Sequence, residues 1–290
     1  MHAHIVITGG EIGRADNAEI VVPWWSVTKT VIAAACLTLV RDGALQLDEM
    51  MADRPYTLRQ LLQHRAGLVD YGGYQAYHDA VAAGDEPWPL NELLTRIDAD
   101  RLRYRPGEGW GYSNIGYALV GRILEEATGA DLAEALRRLV LDPLGVLSAR
   151  LAKDRSDLAQ VAMGEAQNYH PGWVYHGLLV GSVKDAALLM DRLFKGSFLP
   201  ASLLAEATEP FVLGGPIEGR PWRKAGYGLG LMSGTFNDGS RVVGHTGGGP
   251  GSRVAVYHFP ELSPHRTVAA FSVGIDDAIA ENEVMRLASQ

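Results

Sequence analysis

The segment from Ser26 to Arg41 constrains this chain more than any other. Read at helical period it is apolar on nearly every face, with its longest apolar stretch running from Val31 to Val40 before Arg41 and Asp42. A helix with no polar face has to be enclosed by the rest of the chain. Crossing a bilayer takes about 20 apolar residues, so a stretch this short reads as a buried helix rather than a membrane span. A chain of 290 residues, 47% of them hydrophobic, has about two domain-lengths from which to build that enclosure.

The elements around it fall into three blocks. Two short strands, His4–Thr8 and Glu19–Val22, are expected first, joined by a polar turn containing Gly9, Gly10, Asp16 and Asn17, with Pro23 ending the second. From Ser26 to Pro210 the signals are mainly helical: Leu58–His64, Leu90–Ile97, Ile115–Thr128 closed by Gly129, Leu132–Val140, and Val183–Phe194. After Pro210 the pattern alternates, giving strands at Tyr227–Ser233, Arg241–Thr246, Arg253–Phe259 and Thr267–Val273, then a closing helix at Asp277–Ala288. Asn237-Asp238-Gly239 marks a hairpin turn between the first two of these. The expected fold is α+β, with an antiparallel sheet built from both termini, flanked by helices and packed on a mainly helical region. Residues 1–25 with 211–290 form the sheet-containing part, residues 26–210 the helical part, and a site is expected between them. The segment Val69–Pro89, with Tyr71, Tyr74, Tyr77 and Trp88 among glycines, reads as a long loop of the kind that lines sites.

Composition narrows the function. The formal charge of −8 disfavours broad nucleic-acid binding. A single cysteine, Cys36, rules out an internal disulfide and a four-cysteine zinc site, and its place in the apolar helix reads as core packing. The first ten residues show no cationic stretch leading into an apolar one, so no secretory signal is read and the cytoplasm is the expected location. HExxH, CxxC, Walker A, GxGxxG and GxSxG patterns are all missing from the sequence. No cofactor and no metal are therefore expected.

Three short patterns carry chemistry. Ser26-Val27-Thr28-Lys29 puts a hydroxyl and an amine three residues apart, on one face of a helix. Burial drives a lysine toward its neutral form, in which it can take the proton of a serine that would otherwise be a poor nucleophile. The competing reading makes Ser26 an N-cap and Lys29 a surface residue. Tyr112-Ser113-Asn114 follows the turn Pro106-Gly107-Glu108-Gly109. A lysine nearby is expected to ease ionisation of Tyr112, and the Asn114 amide can serve a substrate carbonyl or Lys29. Ser113 or Asn114 as a plain helix cap is the competing reading. His245-Thr246-Gly247 ends a predicted strand whose small residues would let a substrate lie along the edge.

Together, in this order, the three patterns resemble the serine β-lactamase and penicillin-binding-protein superfamily. The similarity is to its class C-like branch, with D-Ala-D-Ala peptidases, D-aminopeptidases and carboxylesterases. Supporting stretches are Leu61–Asp70 (LLQHRAGLVD), Tyr104–Gly129, Leu141–Val146 (LDPLGV) and Gly244–Gly251 (GHTGGGPG), within a resemblance running from about Trp25 to Pro260. It implies Ser26 as the acylated nucleophile, Lys29 as its activating partner and Tyr112 as proton shuttle. It also implies Asn114, His245, Thr246 and Gly247 against the substrate, and the backbone N–H groups of Ser26 and Gly248 as the oxyanion hole. The expected function is cleavage of a small ester or amide through an acyl-enzyme. β-Lactamase or D-stereospecific amino- or carboxypeptidase activity is the alternative, and a non-catalytic ligand-binding relative the second. The expected partner is a small-molecule ester, amide or β-lactam, with neither nucleic acid nor membrane; the sequence carries no signal for oligomeric state. Histidine stands at position 245 where typical β-lactamases have lysine, which weighs against strong β-lactamase activity. Arg253 reads as solvated, His2 and His4 as an exposed strand face, and Glu165 with Asn168 falls at the wrong spacing for a class A deacylation pair.

Overall fold

The computed structural model describes residues 1–290 except Ala52, Glu165 and Gln167. Its main sheet is antiparallel and has eight strands, formed by both ends of the chain. From one edge to the other the order is β2 (Glu11–Asp16), β1 (His2–Thr8), β11 (Arg266–Val273), β10 (Ser252–Phe259), β9 (Arg241–Gly249), β8 (Met232–Phe236), β7 (Trp222–Tyr227) and β6 (Phe211–Gly214). The central strands are apolar on both faces because both faces are covered. Val254, Val256, Ala269 and Phe271 point into one core with Ile5 and Ile7, and α7 (Val183–Phe194) packs there. The alternate residues Ala255, Tyr257, Val268 and Ala270 point into a second core closed by α9 (Asp277–Ala288). This is the period-2 arrangement of a strand, read on two buried faces at once.

The helix that no polar face could support lies at the centre. α1 (Thr28–Arg41) has every residue from Thr28 to Leu39 buried. α5 (Asn114–Thr128) and α6 (Leu132–Leu136) pack on it, together with a π-helical turn at Arg137–Leu141 where the sequence predicts plain α-helix. The remaining helices are α2 (Leu58–Leu62), α3 (Gln75–Ala83), α4 (Leu90–Arg96) and α8 (Ala201–Thr208). A second, three-stranded sheet in the order β3 (Val21–Pro23), β5 (Leu178–Ser182), β4 (Arg150–Ala152) closes the other side of α1's N-terminus. No helix among the described residues is long and apolar enough to cross a membrane.

The structure corrects several boundaries. Glu11–Asp16, read as turn, is a strand with all six residues exposed, so it shows no apolar alternation. The second expected strand, Glu19–Val22, is β3 (Val21–Pro23), which joins the small sheet with Val21 opposite Ser182 and includes Pro23. Tyr227–Ser233 is not one strand but the end of β7, a tight turn and the start of β8. The expected hairpin holds, with Thr235 opposite Arg241 across Asn237-Asp238-Gly239. The supposed loop Val69–Pro89 contains α3, and α8 and the short strands β4, β5 and β6 carried no sequence signal that was read. Cys36 is buried in α1 as expected. His2 is exposed, whereas His4 is half-buried 3.9 Å from Glu283 of α9.

Enclosure of α1 sets a test of the architecture. Ile32→Ala, at a fully buried position, should cost about 2–5 kcal/mol. Ile12→Ala on the exposed strand β2, where the side chain is 51% exposed, should stay within about 0.5 kcal/mol. Urea denaturation midpoints of the two variants compare them directly.

Candidate active site

The backbone around Ser26 is held in an unusual shape. A single 3-10 turn, Trp25–Val27, precedes α1, and Trp25 sits at φ +44°. A non-glycine residue in that region costs of order 1–3 kcal/mol and needs its surroundings to hold it there. Two strands do so. From the small sheet, the Leu179 carbonyl accepts the Trp24 N–H at 2.8 Å and the Leu179 N–H donates to Thr28 Oγ1 at 3.1 Å. From the main sheet, β9 comes so close that a Cβ on Gly247 would lie 2.3 Å from the Trp24 carbonyl oxygen. Trp25 is pinned on that side too, its indole N–H donating to Ser252 Oγ at 3.1 Å.

Ser26 thus faces the cleft with its hydroxyl between two groups. Lys29 Nζ lies 3.0 Å from Ser26 Oγ, and the Tyr112 hydroxyl donates to the same oxygen at 2.9 Å. Lys29 is fully buried and does not reach the surface, and Ser26 makes no capping bond, so the capping reading of that motif fails. Two further polar atoms surround the amine: Asn114 Oδ1, which accepts from it at 2.8 Å, and His176 Nε2 at 3.1 Å. Burial pushes the Lys29 amine well below the usual lysine range, with Asp70 opposing the shift. Burial also raises the Tyr112 phenol. The expected ease of ionisation at Tyr112 is therefore reversed, because the cost of burying a phenolate outweighs the hydrogen bond with Ser26 that opposes it.

α5 explains how Asn114 reaches this cluster. Ser113 caps the helix, accepting the Gly116 N–H at 3.1 Å and donating to the Val69 carbonyl at 2.8 Å, as one of the competing readings expects. Asn114 is thereby free of capping. Asp70 accepts its backbone N–H at 2.6 Å and its Nδ2 at 3.2 Å, which fixes the amide with Oδ1 toward Lys29. Asp70 lies within the LLQHRAGLVD stretch, but its part in the site was not legible from the sequence. Neither was that of His64, buried at φ +58° against the Tyr112 ring at 4.2 Å, nor that of His176.

The strand motif is placed differently from a charged clamp. His245 donates from Nδ1 to the Thr246 carbonyl at 2.7 Å and accepts the Tyr227 hydroxyl at Nε2, 2.9 Å away. Burial, with Lys29 adding to it, lowers its pKa to about 3, so the ring is neutral near pH 7. The Thr246 hydroxyl donates to the buried Glu281 at 2.5 Å, and Arg220 pairs with that carboxylate from the other side. Arg253 is not solvated: its side chain is 15% exposed and lies 2.6 Å from Asp277. Glu165 lies outside the described residues.

Two compartments open on either side of Ser26. One, of about 450 Å³, is walled by Trp110, Tyr227, Met232, Arg220 and Arg253; the other, of about 260 Å³, by Tyr71, Tyr77, Tyr169, Asn114 and His176. Ser26, Tyr112 and Gly248 line both. Among the described residues no group of three His, Cys, Asp or Glu side chains could hold a metal ion. A site in two halves about one hydroxyl suits a substrate cleaved at a central bond.

Burial of neutral histidines makes stability depend on pH. His245 is lowered to about 3 and His258 to about 4, both chiefly by burial. The unfolded chain protonates these rings below their ordinary value near 6.5, whereas the folded chain does not. Their contribution is complete above that value and is lost as pH falls toward 4. Each ring should cost roughly 1.4 kcal/mol per pH unit in that window. Urea midpoints should fall between about pH 7.5 and pH 5.5, and His258→Asn should reduce the slope. A flat profile would contradict the neutral burial of these rings.

Known proteins resemble this chain in sequence and in fold. The Beta-lactamase family profile matches residues 5–273. A penicillin-binding protein of Bacillus subtilis (strain 168) is 25% identical over 301 aligned residues, which take in 91% of this chain and 63% of the relative. Esterase EstB of Burkholderia gladioli is 33% identical over 156 residues, 47% of this chain and 40% of the relative. The chain thus spans less than two thirds of either protein's length. Among solved structures, a D-stereospecific amidohydrolase from Streptomyces sp. superposes with a TM-score of 0.80 at 22% identity, covering 99% of this chain and 93% of that one. With the profile matching nearly the whole length, the chain belongs to the Beta-lactamase family.

Proposed function

We propose that the protein is a serine hydrolase that cleaves a small ester or amide through an acyl-enzyme on Ser26. The observation that carries this reading is Ser26 Oγ lying within hydrogen-bond reach of a buried amine and a buried phenol at once. Burial sets their roles: the lowered Lys29 is available as a base and the raised Tyr112 holds its proton as an acid. Ser26 gives its proton to Lys29 as Oγ attacks the carbonyl, and the oxyanion is met by the backbone N–H groups of Ser26 and Gly248. Tyr112 then protonates the departing alcohol or amine, leaving a phenolate beside an ammonium. In deacylation a water gives its proton to the Tyr112 phenolate as it attacks, and Lys29 returns a proton to Ser26 Oγ. Both groups end as they began. The second N–H of Asn114 Nδ2, beyond the one held by Asp70, is available to a substrate carbonyl. His245, Thr246 and Gly248 line the wall along which the substrate lies, while Gly247, expected there too, packs against the Ser26 turn.

Neutral His245 and Asp277-bound Arg253 leave no unpaired cation at this wall for the carboxylate of a β-lactam, which favours esters and amides over β-lactams. A D-stereospecific amidase or peptidase is the second reading, supported by the likeness in fold to the amidohydrolase. A purely ligand-binding relative would have no use for a fully buried lysine beside a serine.

Intact-mass measurement after a fluorophosphonate or a penicillin is the direct test. A one-to-one adduct that disappears in Ser26→Ala supports the acyl-enzyme; no adduct with any acylating probe favours the binding module. On a panel of p-nitrophenyl esters, nitrocefin and D-alanyl amides, Ser26→Ala should lose several orders of magnitude in rate. Tyr112→Phe should lose about 10²–10⁴-fold in kcat. Hydrolysis should decline toward acid pH as Lys29 takes up a proton.

A further inference from the structure

His176 is absent from every motif described above, yet it touches the amine at the heart of the site. It lies in the turn entering β5, beside Gly177 at φ +90°, and is 3% exposed. The same strand is hydrogen-bonded through Leu179 to Trp24 and Thr28, the residues that flank the Ser26 turn. His176 is therefore fixed to the frame that carries Ser26 and Lys29.

A tetrahedral amine nitrogen has its Cε bond and three other directions. At Lys29 these are taken by Ser26 Oγ at 3.0 Å, Asn114 Oδ1 at 2.8 Å and His176 Nε2 at 3.1 Å. Asn114 Oδ1 can only accept, because its Nδ2 is committed to Asp70. His176 Nε2 accepts from the amine in the tautomer that carries the ring proton on Nδ1. A neutral amine has two protons and one lone pair. With both protons drawn to Asn114 and His176, the lone pair is left toward Ser26.

We propose that His176 is a positioning residue: by accepting one N–H of Lys29, jointly with Asn114, it aims the amine's free electron pair at the Ser26 hydroxyl. This rests on the reading of Lys29 as the base of an acyl-enzyme reaction. With no acceptor in that third direction, the amine could turn a proton toward Ser26 and lose its basic geometry. His176 also favours the ammonium that forms when Ser26 is deprotonated, because a neutral imidazole accepts more strongly from a charged donor. Other groups facing the amine are the rings of Tyr112 and Tyr117, at 4.9 and 5.8 Å, His64, His245, and Asp70 through Asn114. His64 and His245 face His176 as well.

The test compares His176→Phe, which keeps a flat ring but accepts nothing, with His176→Gln, which keeps an acceptor. Thermal unfolding of both establishes that they fold. Single-turnover acylation by p-nitrophenyl acetate should fall about ten- to hundredfold in His176→Phe, with KM little changed, and recover most of that loss in His176→Gln. A second readout does not depend on activity. The chain has five lysines, so 13Cε-lysine NMR can follow Lys29, assigned by its loss in Lys29→Met. Its titration midpoint should drop by about one pH unit in His176→Phe and by less in His176→Gln. Wild-type acylation and an unmoved Lys29 midpoint in a folded His176→Phe would overturn the proposal. If the midpoint moves as expected but the wild-type protein is acylated by no probe, His176 still orients the amine and the acyl-enzyme reading is the one that fails.

Discussion

An ammonium group enclosed among apolar side chains is so costly that everything around Lys29 has to account for it. Its Nζ is fully buried, over the Tyr112 and Tyr117 rings, with its polar contacts made by Ser26, Asn114 and His176. Desolvation favours the neutral amine, and a neutral amine beside a hydroxyl is a base. The same exclusion of water keeps Tyr112 protonated. Burial thus shifts two groups that touch one oxygen in opposite directions, the amine down and the phenol up.

Such an arrangement needs a frame that does not shift. The Ser26 turn is caught between β5 of the small sheet and β9 of the large one, with Trp25 held at positive φ between them. Gly247 permits the contact on the β9 side, since any side chain there would run into the Trp24 carbonyl. On the third side α5 delivers Asn114 from a helix start capped by Ser113 and braced by Asp70. Behind β9, Glu281 of α9 takes up the Thr246 hydroxyl and pairs with Arg220. The strand wall therefore faces the cleft with its polar groups already satisfied, apart from what a substrate brings.

Much of the site was legible from local spacing. Ser26 and Lys29 are one helical turn apart, and their meeting follows from helix geometry. The all-apolar character of the following residues already implied that this lysine would be buried. Tyr112 and Asn114 could be placed with them only through the family resemblance, because their contact with α1 spans more than eighty residues of sequence. His176 and Asp70 were not legible: one histidine before a glycine, or one aspartate at a helix-to-loop junction, has no pattern that sets it apart. The strands missed have the same cause. β2 is exposed on every residue and β4 has only three, so neither shows an alternation.

The sequence by itself determined that a serine lies three residues before a lysine at the start of an enclosed helix, and that the chain is α+β with strands at both ends. Those properties depend on periodicity and hydrophobicity, which are local. Only the tertiary structure decided that the imidazole of His176 joins Tyr112 and Asn114 around the amine, and that Arg253 and Thr246 are bound to acidic groups of α9. It also decided the direction in which Tyr112 shifts. Contacts between distant segments, and the burial they create, come from packing the whole chain, and no short stretch of residues encodes the sum.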